Sequence, residues 1–170
     1  MRGEHGGEAS AGTPSQRRLE RLFGRHGLQA LLGHMVTMAE ELRDQLDGHA
    51  STTVMNAENF GPVTLFRVYP EGVDTFAMPR QEREDPAMRE TLRRHNAYNR
   101  RIFELIQADA LQGRGVVISL TDCYRMTDYG EPINALKSYI LSPFSDDEHV
   151  SAVLESLWKA RRDIAEQDAR

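Results

Sequence analysis

Few residues in this chain could carry chemistry. Its 170 residues include two lysines, Lys137 and Lys159, one cysteine, Cys123, and six histidines. A lysine can form an imine with a carbonyl compound, and a cysteine can attack as a thiolate. Cys123 follows an apolar run with no helix N-terminus or neighbouring base to lower its pKa, so it reads as a small buried or half-buried residue. The histidines form no H-x-x-x-H or H-x-x-E-H spacing with a third ligand, so no metal site is expected, and His95 reads as a helix histidine with a satisfied hydrogen bond. Gly113-Arg114-Gly115 precedes a strand instead of opening a helix, which makes these turn glycines and no phosphate cradle. The carboxylate clusters Glu82, Glu84, Asp85 and Asp146, Asp147, Glu148 read as helix starts, where the macrodipole favours negative charge. On residue types and spacing alone, no catalytic residue is assigned.

The elements that would position these residues follow from periodicity. Residues 1–16 are rich in glycine, small residues and charge, and read as a disordered tail. One domain is expected over 17–166. Leu28, Leu31, Leu32, Met35, Met38, Ala39, Leu42 and Leu46 recur at steps of three and four, the pattern of an amphipathic helix that stops at Gly48. Gly24 and Gly27 predict a kink before it. Thr52–Asn56 and Val63–Tyr69 predict paired strands, Glu71–Glu84 a loop, and Asp85-Pro86 the start of a helix reaching about Leu111. Val116–Leu120 predicts an interior strand and Ile133–Leu141 a second, with a polar loop over Asp122–Pro132 between them. Ser145-Asp146-Asp147-Glu148 predicts a capping box with Ser145 at the N-cap, followed by a helix burying Val150, Val153, Leu154, Leu157 and Ile164. The order predicts an α+β domain with one sheet and helices on one face.

Composition narrows the partners. A net charge of −5 argues against a phosphate-binding surface, so nucleic acid is not expected. The pairs Arg93-Arg94 and Arg100-Arg101 are interleaved with Glu90 and Glu104 and read as a solvated charged face. A single cysteine cannot form an internal disulfide, and no apolar run approaches the length of a membrane span, so a cytoplasmic location and no membrane partner are expected.

Three stretches carry a resemblance: Leu19–Leu46 (LERLFGRHGLQALLGHMVTMAEELRDQL), Gly61–Asp74 (GPVTLFRVYPEGVD) and Val116–Trp158, which includes Leu136-Lys137-Ser138-Tyr139-Ile140-Leu141-Ser142-Pro143. In order and spacing, from Leu19 to about Ile164, the chain resembles the C-terminal small domain of the group II pyridoxal-phosphate-dependent amino-acid decarboxylases. The resemblance implies the small domain of the aspartate-aminotransferase-like fold, fold type I, with one mostly antiparallel sheet and helices packed on one face. It also implies a carbon–carbon lyase that uses pyridoxal phosphate and is a homodimer when complete. In that family the cofactor is held on a lysine that directly follows a histidine, with an aspartate upstream on the pyridine nitrogen. Here Lys137 follows Leu136 and Lys159 follows Trp158, and no His-Lys pair occurs. The resemblance therefore implies a chain without the cofactor-lysine domain, with no covalent hold on pyridoxal phosphate and inactive alone, whose partner is that large domain or a chain carrying it.

The family resembles itself in placing an arginine at the position of Lys137, near the substrate carboxylate, which makes Lys137 the one substrate-contact candidate. Arginine's planar fork binds both carboxylate oxygens, whereas lysine keeps the charge and loses the fork. A strand-edge lysine with its head in solvent is an equal reading. The first long helix and the strand face around Val63–Tyr69 are expected to pack on the large domain. The alternative function is a stand-alone interaction domain of the same fold with no catalytic role.

Overall fold

The computed structural model of the chain describes residues 14–169, with side chains from residue 23 onward. The expected disordered tail falls outside the described residues up to residue 13, while Pro14 to Gln16 already belong to the first helix. That helix, α1, spans Pro14–Asp47. It breaks at Gly24, whose φ of 67° and ψ of 172° are open to glycine and strained for other residues, so the expected kink is present. Among the described residues, the C-terminal half reaches the core, through Met38, Ala39, Leu42 and Leu46. Leu28, Leu31 and Met35 are half-buried, and Leu32, counted with the stripe, is exposed. The helix ends where Gly48 donates its N–H to the Asp44 carbonyl.

Four strands form one antiparallel sheet in the order β1-β2-β4-β3: β1 is Thr52–Val54, β2 Val63–Val68, β3 Ser119–Met126 and β4 Pro132–Tyr139. Alternation sends Phe66, Val68 and Leu136 to the face covered by α1 and two later helices, where they meet Leu42, Leu46, Ile102, Ile106, Leu154 and Leu157. Helix α3 spans Arg89–Leu111 and α4 spans Asp147–Asp168. The expected last stripe, Val150, Val153, Leu154, Leu157 and Ile164, is buried, with Ala160 added.

Several expectations are corrected. The segment 71–84 is not all loop: Met78–Glu84 forms a short helix, α2, which Asp85 separates from a 3₁₀ turn at Pro86–Met88. The Asp85 carboxylate accepts from the Ala87 N–H, which is the cap expected there, and α3 follows as read. Val116–Leu120 is not an interior strand. Pairing begins at Ser119, Val117 is 84% exposed, and β3 lies at the edge of the sheet. The loop expected over Asp122–Pro132 shrinks to a turn, because β3 runs to Met126 through an irregular register between Thr121 and Arg125. That irregularity hid the strand from a period-two reading, since a bulge breaks the alternation such a reading depends on. At α4 the N-cap is Asp146, whose carboxylate accepts from the His149 N–H, one residue after Ser145. Cys123, expected to be at least half-buried, is exposed on the edge strand.

Where β2 and β4 part, helix α3 takes over the hydrogen bonding. The last β2–β4 pair is Phe66 with Leu136. Beyond it the Asn99 amide accepts from the Val68 N–H at 2.9 Å and donates to the Val68 carbonyl at 2.8 Å. The Asn96 side chain accepts from the Asn134 N–H at 3.2 Å and donates to the Pro132 carbonyl at 2.8 Å, while the Asn96 backbone carbonyl accepts from the Asn134 side-chain amide. Buried backbone groups need partners, and two helix asparagines supply those that a strand no longer provides.

Candidate functional site

Lys137 lies within β4, between Leu65 of β2 and Ser119 of β3. It is therefore on an interior strand and not at a strand edge, and its half-buried side chain shares the face opposite the helices with Val63, Leu65 and Tyr139. The ammonium sits 5.4 Å from the centroid of the Tyr139 ring, a distance at which ring and cation attract. Among the described residues no carboxylate lies within ion-pairing distance of it. Lys159 differs: its ammonium is 3.0 Å from Asp109 and 3.1 Å from Asp163, and the hydrogen bonds it donates to both aspartates push its pKa up. Of the two lysines, Lys137 is the one whose charge is left for an anion from outside.

The described residues do not fit a pyridoxal-phosphate site by themselves. An imine lysine must give up its proton, and Lys159 is held protonated by two carboxylates. The glycines beside Arg114 close α3, with Gly113 at φ 72°. No group of three His, Cys, Asp or Glu side chains gathers as metal ligands among the described residues.

A second constellation escaped the sequence. Arg67, fully buried on β2, donates to the Asn134 carbonyl at 2.6 Å, to the Asn134 side chain at 3.0 Å and to Asn96 at 2.9 Å. Its other terminal nitrogen faces Glu82 Oε1 at 3.4 Å. His95 Nδ1 lies 2.6 Å from the same oxygen, and the Tyr69 hydroxyl donates to Oε2 at 3.2 Å. Because an ionised carboxylate only accepts, Nδ1 carries the proton, and His95 has the satisfied hydrogen bond expected of it. Burial pushes the Tyr69 hydroxyl pKa far up, against a smaller opposing pull from Arg67, so the phenol remains a donor. Glu82 is thus not a helix-start carboxylate: it sits in the last turn of α2, 1% exposed, as the counterion of a buried arginine. The available signal was in α3, where His95 and Asn99 interrupt the stripe Leu92, Ile102, Ile106. Polar side chains on an apolar stripe announce a buried polar network. The arginine pairs, by contrast, lie on the surface, with Arg93, Arg100 and Arg101 paired to Glu131, Asp122 and Asp168.

No protein-family model and no curated protein sequence matches the chain. Solved structures do match its fold. The glutamate decarboxylase domain of diaminobutyrate-pyruvate transaminase and L-2,4-diaminobutyrate decarboxylase from Vibrio parahaemolyticus superposes with a TM-score of 0.58 at 16% identity, over 87% of this chain and 25% of that one. Oryza sativa TDC with PLP and tryptamine gives 0.59 at 19% identity over 86% and 25%. Mouse CSAD in apo form gives 0.64 at 12% identity over 87% and 27%. The chain therefore spans about a quarter of the length of these structures. Its four-stranded antiparallel sheet with helices on one face is the α+β fold that pyridoxal-phosphate-dependent decarboxylase structures of fold type I contain, which bears out the resemblance read from the sequence at the level of fold.

Proposed function

We propose that this chain is the small domain of a pyridoxal-phosphate-dependent amino-acid decarboxylase, and that Lys137 supplies the cation that meets the substrate carboxylate. The Schiff-base lysine and the group that pairs with the pyridine nitrogen then come from another segment of a longer polypeptide or from a partner chain. The complete enzyme would be a cytoplasmic homodimer. One observation carries the reading: the lysine without a carboxylate partner stands on the face opposite α1, α3 and α4, in a sheet whose fold recurs in decarboxylase structures four times as long. The surface supports a covering partner as well. Phe23 and Leu32 on α1, and Tyr139 and Leu141 at the end of β4, are each more than 40% exposed. Among the described residues no helix is long and apolar enough to cross a membrane.

In this reading Lys137 binds as a point charge and orients the carboxylate, while Tyr139 limits the positions of its ammonium. The test is to add pyridoxal phosphate and amino acids to the isolated chain, and then to supply a cofactor-bearing decarboxylase segment in cis or in trans. The expected result is no imine absorption and no carbon dioxide from the chain alone, and carbon dioxide release once the segment is present. An imine mapped to Lys137 or Lys159 would overturn the reading. Failure of every cofactor segment to restore release would leave the chain a stand-alone interaction domain.

A further inference from the structure

Arg67, Tyr69 and His95 present their donors around a single carboxylate, and the carboxylate they hold belongs to a separate short element. Each donor is oriented without it. Arg67 is fixed by the Asn134 carbonyl and the Asn96 and Asn134 side chains, and its Nε donates to the Tyr69 hydroxyl oxygen at 3.3 Å. His95 projects from the middle of the stripe of α3 and meets the Tyr69 ring edge-on at 5.2 Å. The partner, Glu82, arrives on the seven-residue α2. Beyond its own carboxylate, that helix is tied to the β3–β4 turn by two hydrogen bonds, from the Tyr129 hydroxyl to the Glu82 carbonyl at 2.7 Å and from the Asp128 N–H to the Arg83 carbonyl at 2.9 Å. The segment leading into it is open to solvent, with Phe76 96% exposed.

We infer that Arg67, Tyr69 and His95 are a preformed binding site for a monocarboxylate, closed in cis by the chain's own Glu82. The chemistry is that of carboxylate recognition: a guanidinium nitrogen and an imidazole N–H share one oxygen, and a phenol that keeps its proton takes the other. The site is cationic only when α2 is away, because Glu82 neutralises Arg67 when α2 is in place. The tether gives Glu82 a high effective concentration, so a free carboxylate competes poorly with it and fills the site only when Glu82 is removed or α2 is displaced. This inference does not depend on the decarboxylase reading or on Lys137.

The probe is formate, with chloride at equal ionic strength as the control for screening. In Glu82→Ala the site is empty and cationic, and the unfolding midpoint should rise saturably with formate, as it does for any ligand bound only by the folded state. Acetate should act in the same way at higher concentration, while the parent chain and Glu82→Ala/Arg67→Met should respond to formate no more than to chloride. If Glu82→Ala does not fold in chloride, recovery of its circular dichroism on adding formate supports the site. A midpoint or a refolding yield that follows ionic strength alone, identical in formate and chloride, would overturn it and leave Glu82 an ordinary buried counterion.

Discussion

Lys137 and His49 make the two residue-level predictions. In a complete enzyme, Lys137→Ala should raise KM with little effect on folding, by about 1.5–3 kcal/mol, the usual worth of a hydrogen bond to a charged group. Lys137→Arg should match or improve on the parent, because the guanidinium restores a two-point grip. Steady-state kinetics of the three proteins decide it, and identical KM values would make Lys137 a solvated strand lysine. His49 tests the packing around it. Its ring stacks on Trp158 with centroids 3.9 Å apart, and burial, then the Arg161 charge, hold its pKa below the ordinary value. The unfolded chain therefore binds the extra proton more readily as pH falls below the ordinary histidine value of about 6.5. His49 favours the folded state fully above that value and loses this contribution as pH drops through the window beneath it. Denaturation midpoints across that window should slope upward with pH, and His49→Gln should flatten the slope. An unchanged slope would place the titration elsewhere.

At the scale of elements, the point where the sheet parts makes the sharpest prediction. Asn99→Leu strands the Val68 N–H and carbonyl in the interior and should cost on the order of 1–3 kcal/mol for each unsatisfied group. Urea unfolding should show a lower midpoint at unchanged slope, whereas a neutral result would mean that the strands close over the gap. This element also shows what could and could not be read from the chain. The helix stripes and the β1–β2 pairing were legible because they keep a regular period over several residues, as Met38, Leu42, Leu46 and the Val150–Ile164 stripe do. Helix α2 was not, because its seven residues MPRQERE contain no apolar stripe and are held by a buried carboxylate to residues 13 and 15 positions away and by two backbone carbonyls to the β3–β4 turn. β3 was misplaced because its bulge erases alternation, and its exposed position leaves few apolar residues to reveal it. Of the candidate site, the sequence supplied Lys137 through family resemblance. It could not supply the Arg67–Glu82–His95 cluster, which exists only once three separate elements have met.

The whole molecule has an unevenly covered surface. Val63 and Leu65 are half-buried on the face opposite the helices, but Phe66 to Tyr69 are buried within the domain, so the expected docking strip is narrower than Val63–Tyr69. With Phe23 and Leu32 of α1 and the end of β4 also exposed, the isolated chain should bind a hydrophobic dye and self-associate as concentration rises. A clean monomer by sedimentation, without dye binding, would remove the case for a covering domain. The central claim is that the imine lysine of the working enzyme lies outside these 170 residues. The most direct measurement is borohydride reduction of the protein as isolated from its own cells, followed by peptide mapping of the pyridoxyl group. The account predicts a pyridoxyl-lysine directly after a histidine, in a segment beyond this sequence that copurifies with it in cis or in trans. A pyridoxyl group on Lys137 or Lys159, or none at all in protein that is folded and intact, would contradict it.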